Sequence, residues 1–145
     1  MGSRTPRGKL GADGREATLK DRSLLLVEDE GEVAAFLRDL FALDGWVVDV
    51  VTNGRQALQA LRVRDYRVIV SDIVMPDVDG AGLYREVARW RPELLPRFIF
   101  ISGFADTDTA DFLRQTRAPM ISKPFRYEEI RQIVDEVLGA EPPSP

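Results

Sequence analysis

The sequence has 145 residues, is 44% hydrophobic and carries a formal net charge of −4, which suits a single acidic globular domain. It contains no apolar run of about 18 residues, so we expect no transmembrane helix and a cytoplasmic protein. The absence of cysteine and histidine excludes disulfides, thiol nucleophiles, the Ser-His-Asp triad and a phosphohistidine on this chain.

The first 22 residues are basic and show no hydrophobic period. They hold six Lys/Arg against three Asp/Glu, whereas residues 23–145 hold 14 Lys/Arg against 21 Asp/Glu. We predict that residues 1–22 form a flexible leader. The acidic remainder offers no basic surface for nucleic acid.

Five apolar, β-rich segments alternate with five segments of helical period in the rest of the chain. Continuous apolar runs predict strands at 23–29, 46–51, 67–72, 97–102 and 119–123. Apolar residues at helical spacing predict helices at 30–44, 52–61, 82–90, 106–116 and 127–138, and a flexible tail follows at 139–145. This alternation predicts an α/β domain over residues 23–138, with a doubly wound parallel sheet covered by helices on both faces.

Polar residues stand where four of these strands end. Glu28 and Asp29 close the first strand, Asp72 the third, Ser102 the fourth and Lys123 the fifth. Because the carboxyl ends of parallel strands share one edge of the sheet, we expect these side chains to converge there. Each alone is explained as a helix cap, a turn former or a solvated lysine. Together they predict a Mg²⁺ site beside an aspartate that can be phosphorylated.

Four motifs in register carry a family resemblance: LLLVEDE, VIVSDIVMPDVDG, FIS and SKPF. In this order and spacing they resemble the receiver domain of two-component response regulators, over about residues 22–138. The resemblance implies a flavodoxin-like five-stranded parallel sheet in the order 2-1-3-4-5, with five helices. It also implies that Asp72 takes a phosphoryl group from a phosphohistidine on a histidine kinase or a histidine phosphotransfer protein, with Mg²⁺ as cofactor.

The resemblance also implies roles for individual residues. The expected Mg²⁺ ligands are Glu28 acting mainly through water, Asp29 directly, Asp72, and the backbone carbonyl of Val74. Ser102 matches the hydroxyl of the conformational switch, and Lys123 matches the lysine that binds the phosphoryl group. The bond from Lys123 to Pro124 is expected to be cis.

Three features depart from the family's pattern. Glu28 stands where aspartate is commoner, and Met120 stands where the family usually has a tyrosine or phenylalanine that swings inward on activation. A flexible thioether at position 120 is expected either to weaken that switch or simply to fill core. Val74 and Phe104 occupy the positions that usually orient the hydrolytic water, so we expect slow loss of the phosphoryl group from Asp72.

Two other functions are compatible with an aspartate at a strand end. A haloacid-dehalogenase-like phosphatase also uses such an aspartate with Mg²⁺, but it needs a second acid two residues on, where this chain has Val74. A pseudo-receiver would bind partners without being phosphorylated, and the intact Asp29, Asp72 and Lys123 argue against that function.

The receiver interpretation carries further expectations about partners. The chain would be no enzyme beyond its own phosphorylation and dephosphorylation, and this domain would bind neither nucleic acid nor membrane. It would be either a standalone regulator or the receiver of a hybrid histidine kinase. A weak homodimer through the outer faces of helices 106–116 and 127–138 stays open, because the residues on those faces are too mixed to decide it.

Overall fold

The computed structural model describes residues 22–75, 78–103 and 107–140 of the chain. These residues form five β-strands, five α-helices and a short 3₁₀ helix. In chain order the elements are β1 (Ser23–Val27), α1 (Gly31–Leu43), β2 (Val47–Val51), α2 (Gly54–Val63), β3 (Val68–Asp72), α3 (Gly80–Trp90), the 3₁₀ helix (Pro92–Arg97), β4 (Phe98–Ser102), α4 (Thr107–Thr116), β5 (Met120–Ser122) and α5 (Tyr127–Ala140). Within these ranges, no helix is both long enough and apolar enough to cross a membrane.

The strands form one parallel sheet in the order β2-β1-β3-β4-β5. This order confirms the α/β class and the flavodoxin-like sheet that the sequence predicts. The inner strands β1, β3 and β4 are buried along almost their whole length, because helices cover both faces of the sheet. Since every pair of neighbouring strands is parallel, all five carboxyl ends lie at one edge.

Two apolar clusters, one on each face of the sheet, hold the helices against the strands. Successive residues of β1 point to opposite faces, so Leu24 and Leu26 belong to the first cluster and Leu25 and Val27 to the second. The first cluster joins α1 and α5 to the sheet, and the second joins α2, α3 and α4. Each fully buried leucine or valine contributes about 1.5–3 kcal/mol to the stability of this frame.

The element boundaries differ from the predicted ones by one or two residues. β1 ends at Val27, so Glu28 and Asp29 follow the strand instead of completing it. α3 begins two residues earlier than predicted, because the Asp79 carboxylate accepts a hydrogen bond from the N–H of Gly82 and caps the helix. No sequence signal predicted the 3₁₀ helix. Of the predicted leader and tail, residues 1–21 and 141–145 lie outside the described residues, and α5 reaches Ala140.

The start of α3 packs directly on the end of β3. The N–H of Gly80 donates a hydrogen bond of 2.8 Å to the carbonyl of Ile73. A Cβ atom on Gly80 would lie 2.6 Å from the carbonyl oxygen of Asp72 and 2.8 Å from the Cα of Ile73. Only glycine lets the helix approach this closely, so Gly80 sets the distance between α3 and the backbone that carries Asp72.

We therefore predict that Gly80→Ala lowers the free energy of unfolding by about 1–3 kcal/mol, because the added methyl group must displace backbone at the end of β3. Chemical denaturation with matched far-UV spectra measures the change. Gly139→Ala in α5 is the control, since its Cβ meets no described atom within 4 Å. The control is expected to be neutral or up to about 1 kcal/mol more stable. Equal stabilities of the two variants would contradict the close approach.

Candidate functional site

The carboxyl edge of the sheet brings the predicted polar residues together. Asp72 ends β3 and Ser102 ends β4, and only 4% and 2% of their surfaces are exposed. Glu28 follows β1 and is 1% exposed, whereas its neighbour Asp29 is exposed. Lys123 follows β5 directly. Residues that are 95 positions apart in the sequence thus meet at one edge, because each comes at the end of a parallel strand.

Three carboxylates form an acidic cluster at this edge: Glu28, Asp29 and Asp72. One oxygen from each lies within 4.8 Å of the others. Oε2 of Glu28 accepts a hydrogen bond of 3.1 Å from the N–H of Glu30, but Oε1 is buried and has no hydrogen-bond donor among the described residues. Burial raises the pKa of Glu28 to about 7, with the Glu30 N–H opposing this rise and the charge of Asp72 adding to it. Crowded oxygens with an unsatisfied buried acceptor suit a hard divalent cation.

The Lys123 ammonium is the cation that the described residues supply to this cluster. Its Nζ lies 3.1 Å from Asp72 Oδ2, 3.2 Å from Glu30 Oε1 and 3.7 Å from Glu28 Oε1. Burial alone would lower the pKa of Lys123, but the hydrogen bond to Asp72 and the surrounding negative charge raise it above its ordinary value. Lys123 therefore stays charged and partly neutralises the carboxylates.

The backbone around the site orients Asp72 and Lys123. The N–H of Val74 donates to Asp72 Oδ1 at 3.2 Å, which places Val74 beside the carboxylate, while the role of its carbonyl as a metal ligand stays a prediction. The N–H of Lys123 donates to the carbonyl of Ser102 at 2.8 Å and so ties the end of β5 to the end of β4. The bond from Lys123 to Pro124 is cis, as expected.

Met120 and Val74, two residues with atypical identities, are among the described residues. Met120 begins β5, is half-buried and packs against the second apolar cluster, with the Ser122 hydroxyl 3.7 Å from its sulfur. This placement agrees with a core-filling residue, and its effect on switching stays a prediction. The Val74 side chain is 48% exposed. Phe104, the other residue expected to slow phosphoryl loss, lies outside the described residues.

The structure adds Glu30 to the site, although the sequence pattern indicated no role for it there. Its carboxylate contacts Lys123, which is 93 positions away in the sequence. The available signal was a third acid directly after the Glu-Asp pair, in the loop between β1 and α1. Acids are common in the first turn of a helix, so the sequence alone does not distinguish Glu30 from such a residue.

Comparison with known proteins agrees with this geometry. The model of the response regulator receiver domain family matches residues 24–135. The chain is 32% identical over 120 residues to the response regulator receiver protein CpdR of Brucella abortus, and the match covers 82% of this chain and 98% of CpdR. It is also 32% identical over 119 residues to the sensor kinase CckA of the same organism, but this match covers 80% of this chain and only 12% of CckA.

A solved structure shows the same architecture. The signal receiver domain of a histidine kinase from Syntrophus aciditrophicus superposes with a TM-score of 0.75 at 26% identity, covering 84% of this chain and 94% of that one. Relatives thus include a protein that the match covers almost entirely and a kinase of which the matching domain is a small part. The chain belongs to the response regulator receiver domain family, whose members serve as phosphoacceptors in two-component systems.

Proposed function

We propose that Asp72 is the phosphoacceptor and that its phosphoryl group comes from a phosphohistidine of a histidine kinase or a histidine phosphotransfer protein. The observation that carries this proposal is the 3.1 Å contact between Lys123 Nζ and Asp72 Oδ2 beside the acidic cluster. An oxygen of Asp72 forms a bond to phosphorus as the N–P bond of the donor breaks, and the electron pair of that bond stays on the departing imidazole. The chain contains no histidine, so the donor residue lies outside it.

We propose that Mg²⁺ binds at the acidic cluster, held by Asp29, Asp72, the carbonyl of Val74 and, through water, Glu28. The fit is supported by the buried Oε1 of Glu28, which lacks a hydrogen-bond donor among the described residues, and by the mutual distances of the carboxylates. When bound, the ion neutralises negative charge on the phosphoryl oxygens and the carboxylates. Asp29 is exposed, so it gives the ion a direct path from solvent.

Lys123 and Ser102 complete the surroundings of the phosphoryl group in this proposal. The ammonium holds one phosphoryl oxygen, and the hydroxyl of Ser102 holds a second. Both groups lie near Asp72, because Ser102 ends β4, the strand next to β3, and Lys123 follows β5, the strand beyond β4. The domain thus acts on its own aspartate and turns over no separate substrate.

The residues that the chain carries argue against both competing functions. A haloacid-dehalogenase-like phosphatase would need an acid at position 74, and the valine there offers no group that can transfer a proton. A pseudo-receiver would lack part of the charged set, yet Asp72, Lys123 and the acidic pair lie together.

We propose that phosphoryl transfer to Asp72 takes place in the cytoplasm, where the kinase domains of two-component systems act. We also propose that the phosphodonor docks beside Lys123. An apolar cleft of about 320 Å³ runs between α1 and the loop that joins β5 to α5, and is bounded by Lys123 itself. Its walls are Val33, Phe36, Pro124 and Phe125, and Phe36 is 54% exposed. A donor helix seated there would present its phosphohistidine to the adjacent acidic cluster.

Asp72→Asn is expected to abolish phosphate incorporation from acetyl phosphate and Mg²⁺, because the amide cannot attack phosphorus. Intact-mass spectrometry of wild type and variant measures the added phosphoryl group. Asp79→Asn is the control, since Asp79 is exposed and caps α3 without reaching the cluster. Equal incorporation into wild type and Asp72→Asn would remove Asp72 from its role.

Mg²⁺ is expected to stabilise the domain by about 2.7 kcal/mol at 100 times its dissociation constant, because the folded chain alone presents the cluster. The melting temperature should therefore rise by several degrees on addition of Mg²⁺. Asp29→Asn should lose most of this rise, and Asp39→Asn on the exposed side of α1 should keep it. A rise of equal size in all three proteins would show that Mg²⁺ acts elsewhere.

Lys123→Ala is expected to fold but to be phosphorylated by acetyl phosphate roughly 10²-fold more slowly, because one charge-stabilising donor is lost. Phosphate incorporation over time and thermal melting are measured together. Arg126→Ala, which removes a positive charge three residues later, is the control. A large loss of stability with an unchanged rate would instead show that Lys123 is only a structural partner of the carboxylates.

A further inference from the structure

Glu30 occupies the first position before α1, but its side chain does not serve that helix. It is the N-cap residue of α1 and makes no side-chain capping hydrogen bond. Its backbone N–H donates to Glu28 Oε2 at 3.1 Å, and its carboxylate reaches across to Lys123 Nζ at 3.2 Å. The side chain of Glu30 is 63% exposed, so this ion pair lies at the rim of the acidic cluster.

The contact matters because Lys123 has a limited number of donors. An ammonium group offers three N–H bonds. One contacts Asp72 Oδ2 at 3.1 Å and another contacts Glu30 Oε1 at 3.2 Å, while Glu28 Oε1 is farther away at 3.7 Å. Carboxylates thus hold two of the three N–H donors, and a phosphoryl oxygen that binds Lys123 shares the ammonium charge with both of them unless one is displaced.

The two close partners of Lys123 differ in how readily they can be displaced. Asp72 is almost fully buried and also accepts the N–H of Val74, so its carboxylate is fixed. Glu30 is largely in water, and release of its carboxylate restores solvation at little cost. Its negative charge also stands close to the position that an incoming phosphoryl group must take.

We propose that Glu30 is a positioning residue that holds Lys123 at the rim in the unphosphorylated chain and competes with the phosphoryl oxygens for its ammonium group. This inference rests on the proposed role of Lys123 as the phosphoryl-binding cation. Glu30 thereby weakens the affinity of the site for anionic phosphoryl groups and favours the unmodified state. Phosphorylation breaks the Glu30–Lys123 pair and frees the Glu30 carboxylate into solvent.

The test compares the affinities of wild type and Glu30→Gln for beryllofluoride at saturating Mg²⁺, by amide NMR titration. Removal of the competing carboxylate is expected to tighten binding about two- to fivefold, the range of an exposed ion pair. Glu128→Gln removes the same charge from the first turn of α5, where Glu128 is exposed and has no ion pair with Lys123 among the described contacts. This control is expected to bind as wild type does. Unchanged or weaker binding by Glu30→Gln, or equal tightening by Glu128→Gln, would overturn the proposal.

Two further readouts separate a positioning role from a merely structural one. The ¹⁵N resonance of the Lys123 ammonium should move in Glu30→Gln and stay in place in Glu128→Gln. Glu30→Asp keeps the charge but withdraws the carboxylate by one methylene, so it should also tighten binding, whereas wild-type affinity in this variant would show that contact with Lys123 is unimportant. The proposed function fails separately: it fails if Asp72→Asn still takes up phosphate, whatever Glu30 does.

Discussion

Among the described residues, the Lys123 ammonium lies within 4 Å of three carboxylates at the carboxyl edge of this sheet, and the rest of the site depends on that imbalance. Glu28 and Asp72 are almost fully buried, and buried charges without partners cost several kcal/mol each. Lys123, the N–H of Glu30 and the N–H of Val74 offset part of that cost. The raised pKa of Glu28 and its unsatisfied Oε1 show that the compensation is incomplete. An edge left short of positive charge suits the divalent cation proposed for it.

The stability of the domain must therefore come from elsewhere. The two apolar clusters bury both faces of the inner strands, and their aromatic rings pack edge to face, as Tyr84 does against Phe98 and Phe112 at 5.3 and 5.4 Å between centroids. These clusters keep the strand ends rigid, so crowded charges cannot move apart by bending the sheet. The two apolar clusters thus hold the charged side chains in an electrostatically unfavourable arrangement, and the stability of the clusters does not depend on those charges.

Much of this architecture follows from local sequence, and the limits of prediction have physical causes. Continuous apolar runs identified all five strands, and their carboxyl ends gave Glu28, Asp29, Asp72, Ser102 and Lys123, because topology alone brings strand ends to one edge. The sequence does not predict the early start of α3, because two glycines in its first turn lower the helix propensity there. The side chain of Asp79 nevertheless caps the helix at this point. The Glu30–Lys123 pair could not be predicted, because it depends on where one exposed side chain lies relative to a strand 93 positions away.

The imbalance of charge also bears on how a modified site would affect the rest of the domain. Addition of a phosphoryl group increases the negative charge, so the weakest contact of Lys123 must yield first, and the exposed pair is weaker than the buried one. Lys123 and Ser102 are joined by a backbone hydrogen bond, so movement of either side chain acts on the ends of β4 and β5 together. Behind them Met120 pairs with Phe100, whose ring packs against Phe112 of α4 at 5.4 Å between centroids. The end of β4 is therefore connected to α4 through packed aromatic rings, while the effect of the flexible thioether of Met120 on switching stays a prediction.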